Sequence, residues 1–143
     1  MLRAAIALAW GTGRVPQIRP DSHPTTFEAL ERPLGHLGEE VLRPVTAYFE
    51  AAAGSRQYAI LGRRGWSIVE SFRALALAHS IALWLLRLVS TDRSPDVEDA
   101  ISVVGAIDRG QGYAPLAGRR HRTRLARLAR LGELARVVAW YAR

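Results

Sequence analysis

Six of the twelve residues in RRHRTRLARLAR (119–130) are arginines: Arg119, Arg120, Arg122, Arg124, Arg127 and Arg130. A planar guanidinium can hold a phosphate or carboxylate through two hydrogen bonds, and a row of them on a helix can follow a polyanion. A smaller cluster lies in GRRGW (62–66), where Arg63, Arg64 and Trp66 sit between glycines just before an apolar run. Loops of that composition carry binding residues more often than cores do. The plainer reading of GRRGW is a glycine turn with Trp66 tucked against the core. For the longer segment, no Phe, Tyr or Trp lies between Arg119 and Arg130 to stack a base. No helix-turn-helix, zinc-finger or RNA-recognition pattern appears. The segment also carries leucines at helical spacing that need burial. A solvated or protein-facing helix is therefore the first reading, nucleic acid the second and an anionic membrane surface the third.

Other chemistries find less support. The chain has no cysteine, which removes disulfides, thiolate nucleophiles and cysteine metal sites and suits a cytoplasmic location. His23, His36, His79 and His121 stand too far apart in sequence for a helical metal pair. His79 lies in a largely apolar run and reads as a core histidine. Glu70 and Arg73 are three apart and read as a structural ion pair. Asp96, Glu98 and Asp99 lack calcium-loop spacing and read as helix-start charge. No residue is nominated as catalytic or as a metal ligand.

The elements that must position these residues are helical. With 143 residues, 49% of them hydrophobic and 23% charged, the chain has the size and balance of a single globular domain. The net charge of +7 comes from 20 basic and 13 acidic residues, and every basic residue is arginine. Much of that arginine usage reads as codon bias, so its placement says more than its number. Residues 1–108 carry 11 Arg against 12 Asp or Glu, whereas 109–143 carry nine Arg against Glu133 alone. The last quarter of the chain is thus +8, a surface suited to an anionic or acidic partner.

Residues 1–10 read as the end of a helix rather than a signal peptide, because no small-residue cleavage site follows. The proline-rich stretch 11–24 reads as extended. TTFE (25–28) offers a capping box from Thr25 to Glu28. Pro44 suits the first turn of a helix that stops at Gly54. SIVE (67–70) offers a second capping box and opens an apolar helix over about 67–89, with Val69, Phe72, Ala76, Leu83 and Leu86 along one face. The 13-residue run ALALAHSIALWLL (74–86) is shorter than the roughly 20 residues a bilayer requires. The expectation is a buried core helix and no membrane span. Ser94 as cap and Pro95 at the first position predict a helix to about Ile107. DRGQGYAPLAGRR (108–120) reads as a loop. Leu128, Leu131, Ala135 and Val138 predict one last helix over about 123–141, with Glu133 paired to Arg130 or Arg136. The predicted fold is all-α: four to five helices in one domain around the 67–89 segment.

Three stretches taken in order, YAILGRRGWSIVESFRALALAHSIALWLLRL (58–88), DVEDAISVVGAIDRGQGYAP (96–115) and LARLGELARVVAWYAR (128–143), resemble the C-terminal helical half of flagellin lysine-N-methylase-like proteins, a cysteine-cluster family. The resemblance implies methyl transfer to protein lysine with S-adenosylmethionine and a metal or iron–sulfur centre held by cysteines. This sequence has none of those cysteines. No ligand position carries over, and the centre would have to be supplied elsewhere. The resemblance therefore predicts a non-catalytic helical portion of a longer protein, inactive alone, whose partner is its missing N-terminal part or another protein. The alternative is a basic module that binds nucleic acid or another polyanion through 119–130.

Overall fold

Ser67 starts the helix on which the rest is assembled. Its hydroxyl accepts from the Glu70 amide at 3.1 Å, and the Glu70 carboxylate accepts from the Ser67 amide at 2.8 Å. This reciprocal box satisfies two of the orphan donors at the start of Ile68–Val89. Gly65, just before it, has φ +78°, a conformation that favours glycine and sets the entry angle. The structure is a computed structural model. It describes residues 13–15, 24–31, 37–55, 65–111 and 119–141, with backbone alone at 110–111 and 119–121.

Among the described residues there are six α-helices and no strand: α1 (Phe27–Leu30), α2 (Glu39–Gly54), α3 (Ile68–Val89), α4 (Val97–Ala106), α5 (Arg119–Arg130) and α6 (Glu133–Tyr141). The fold is an all-α bundle. α4 continues into a π-helical turn, Ile107–Gln111, where Tyr48 of α2 donates to Asp108 at 3.3 Å. α2 packs on α4, and α3 packs on α2, α4, α5 and α6. Val45, Phe49 and Ala52 meet Leu75, Ala78, Leu83 and Leu86 of α3 and Val103 of α4 in the largest buried cluster. Ala82 and Ala100, fully buried in it, let the helices approach closely. On another face of α3, Trp66, Ala74, Leu125 and Leu134 form a smaller cluster that seats α5 and α6. Val15, Phe27, Leu30 and Leu88 form a third.

α3 is long and apolar enough to cross a bilayer by length and composition, and half of that stretch is buried inside the protein. Its buried serines are satisfied along the helix: Ser71 donates to the Ser67 carbonyl at 2.9 Å and Ser90 to Leu86 at 2.6 Å.

Several boundaries differ from the sequence expectations. Thr26, not Thr25, caps α1, accepting from the Ala29 amide at 3.2 Å, while Glu28 reaches across to the Gly13 amide. Val15 donates to the Thr25 carbonyl and Phe27 to that of Gly13, and most of the stretch 11–24 expected to be extended lies outside the described residues. Pro44 lies inside α2, which already starts at Glu39. Asp96 caps α4 in place of Ser94, because its short carboxylate reaches the Asp99 amide at 2.9 Å and Asp99 returns the bond. The segment expected as a loop over 108–120 begins with the π turn and ends inside α5. The single last helix expected over 123–141 is two helices. Gly132, at φ +73°, breaks it, which resets the apolar register. Leu125 and Leu134 are buried, whereas Leu131 and Ala135 are exposed. The expected helix over 1–10 lies outside the described residues.

Candidate functional site

α5 is the most basic element. Leu125 faces inward against Ala74 and Trp66, and Leu128 and Ala129 line the same side. Arg122 is one turn before Leu125 and therefore shares that inward face. It needs a counter-charge there and finds Glu70: its Nε donates to the carboxylate at 2.7 Å. Glu70 thus caps α3 with one oxygen and tethers α5 with the other. The Arg122 bond, followed by the Ser67 amide, holds the Glu70 carboxyl down at about 2. The expected Glu70–Arg73 pair is replaced by this longer-range one. A bridge across 52 residues has no periodic signature, although Arg122 standing in register with Leu125 was its trace in the sequence.

The other described arginines of α5 turn outward. Arg124, Arg127 and Arg130 are exposed, and none has an acidic partner among the described residues. Glu133 pairs with Arg136 at 3.0 Å and not with Arg130. The side chains of Arg119 and Arg120, and all of Arg63 and Arg64, lie outside the described residues. Trp66 is buried in the second cluster, so it supports α5 rather than offering a face to a ligand.

A second feature is apolar. At the start of α3, Ile68, Val69 and Phe72 are 70%, 57% and 54% exposed. Val69 and Phe72 were expected inside with Leu83 and Leu86, and the structure corrects this. The stripe is continuous, but its cover is not. α2 covers it from Leu75 onward and ends at Gly54, with Ala53 facing the same cleft as Phe72. That cleft, about 320 Å³, is lined by Phe49 and Ala53 of α2 and by Phe72, Leu75, Ala76 and His79 of α3. Burial pushes the His79 imidazole below its ordinary value, which favours its neutral form. Its ring stands edge-on to Phe49 at 5.0 Å.

Arg87 is a feature that sequence reading passed over as an ordinary charged position. It is 4% exposed, donates to the Leu30 carbonyl at 3.3 Å and lies 5.0 Å over the Tyr141 ring. Its position in the last turn of α3 also favours a cation.

No group of three His, Cys, Asp or Glu that could hold a metal ion occurs among the described residues. Asp96 and Asp99 serve the cap of α4 and bind Arg93 at 3.0 and 2.7 Å. With no cysteine in the sequence, the donor set does not fit a cysteine-held metal or iron–sulfur centre. No family model, curated protein or solved structure matches this chain.

Proposed function

We propose that this chain is a non-catalytic helical docking domain that packs against a second polypeptide through the first two turns of α3. The observation that carries the reading is the run of exposed apolar side chains at Ile68, Val69 and Phe72 on the helix that also forms the core. Large apolar groups clustered at a surface mark interaction sites more often than isolated ones do. The cluster continues into the apolar cleft beside α2, which gives a partner helix or loop a place to anchor. The resemblance to lysine-methylase-like cysteine-cluster proteins names the partner to try first: the cysteine-bearing portion of such a protein, which would bring the metal or iron–sulfur centre and S-adenosylmethionine. The role of this chain is then to shape the substrate side of a site it does not itself contain.

The test is co-expression with any cysteine-rich polypeptide encoded directly upstream of Met1. The expected result is co-purification as a complex, and protein-lysine methylation by the complex but not by this chain alone. Methyl transfer by the purified chain alone would refute the reading, as would failure of the two polypeptides to associate.

A second reading has its own observation. Arg124, Arg127 and Arg130 face solvent without acidic partners among the described residues, which suits a polyanion. Nucleic-acid affinity should then fall with salt, with a log–log slope of about −0.9 per duplex phosphate contacted. A flat salt dependence would dismiss that reading.

A further inference from the structure

We propose that the outward face of α4 is a self-association surface, on which a second copy of this chain seats its own α4 antiparallel across a two-fold axis. α4 turns Ala100 and Val103 into the main buried cluster. Its other side carries Val97, Glu98, Ile101 and Gly105, which follow one another at helical spacing. Ile101 is 57% exposed and Val97 39%. Glu98, also exposed, stands three residues before Ile101, and Gly105 stands four after it. Arg109, in the π turn, folds back over that glycine: a Cβ at Gly105 would meet its guanidinium at 3.3 Å. The face therefore carries a carboxylate at one end, an apolar centre and a guanidinium at the other. Neither Glu98 nor Arg109 has an ion-pair partner among the described residues. The neighbouring acids are engaged: Asp96 and Asp99 with Arg93, and Asp108 with the Tyr48 hydroxyl.

That order makes the face complementary to itself. With a two-fold axis beside Ile101, residue 98 of each chain opposes residue 105 of the other. Glu98 then meets the guanidinium that lies over the opposing Gly105, at both ends of the contact, and a planar fork suits a carboxylate. Ile101 packs on its counterpart at the centre. With no side chain on Gly105, the guanidinium lies low and does not hold the two helices apart. Parallel pairing would set like charges together instead.

This surface is separate from both readings above, since it uses neither the start of α3 nor α5. The test is sedimentation equilibrium of the whole chain over a concentration series, with circular dichroism to check the fold of each variant. Two short helix faces bury less than a standard interface, so the dimer should dissociate with a Kd between about 10 μM and about 1 mM. Glu98→Arg and Arg109→Glu should each weaken it about tenfold or more, because each turns two attractive pairs into two repulsive ones. An equimolar mixture of these two variants should regain the dimer, since one chain then has two cationic ends and the other two anionic ends. The double variant Glu98→Arg/Arg109→Glu should regain it alone. Ile68→Ser/Val69→Ser/Phe72→Ser should dimerise as the native chain does. The proposal is overturned if the native chain stays monomeric up to about 1 mM. It is equally overturned if the single swaps leave the dimer unchanged, if their mixture fails to restore it, or if the α3 triple variant abolishes it.

Discussion

The two ends of α3 are both rich in large apolar residues and have opposite fates. From Leu75 to Leu88 its apolar side chains are buried or half-buried against α1, α2, α4, α5 and α6. From Ile68 to Phe72 they are more than half exposed, and the polar groups there are the satisfied ones: Ser67, Glu70 and Ser71 all have partners. Hydrophobicity alone therefore does not say which turns of a helix form the core. What decides is whether a neighbouring helix reaches far enough to cover them. One end of α3 holds the fold, and the other is held by a cap and an ion pair while keeping its apolar face outward.

The contrast can be broken by mutation, starting with the largest effect. Leu86, fully buried, has no room to relax, so Leu86→Ala should destabilise by about 2–5 kcal/mol in urea denaturation. Leu125→Ala in the smaller cluster should cost about 2–3 kcal/mol, toward the lower part of that range because fewer buried neighbours surround it. Hydrogen exchange should show α5 and α6 loosening before α2 and α4.

Glu70→Gln should cost about 1 kcal/mol, since it weakens a cap and a partly exposed ion pair together. The pH dependence fixes the sign. The folded carboxyl titrates at about 2 against an ordinary 4.5, so its stabilisation is complete above 4.5 and fades as pH falls from there toward 2. Acid denaturation of Glu70→Gln should be flatter across that window. Gly132→Ala should also cost about 1 kcal/mol, because φ +73° strains an L side chain even where the space is open. Ile68→Ser should change stability by less than about 0.5 kcal/mol, a null effect that sharpens the contrast with Leu86 on the same helix.

Much of the fold was legible in the sequence. The SIVE box starts α3 where its Ser and Glu spacing says it should, and Gly54 ends α2. Local chemistry writes such signals within four residues. The last helix was misread because LARLGELAR keeps its leucines at helical intervals across Gly132, and the break shows only in the glycine's backbone angle. The candidate site was harder to read. Arg122 is one of six arginines in its segment, and its register with Leu125 is the one local mark that separates it from the exposed Arg124. The identity of its partner, Glu70, comes from another helix and leaves no local mark. The exposure of Val69 and Phe72 depends on where α2 stops, which is a property of two elements and not of one.

The docking reading rests on the exposed end of α3 and is tested most directly by affinity. The purified chain would be titrated with any cysteine-rich polypeptide encoded directly upstream, in three forms: native, Ile68→Ser/Val69→Ser/Phe72→Ser, and Arg124→Ser/Arg127→Ser/Arg130→Ser. The account predicts tight binding by the native chain, a loss of tenfold or more in the α3 triple variant with its helicity intact, and little change in the arginine variant. Equal binding by the α3 variant, or a loss confined to the arginine variant, would contradict it.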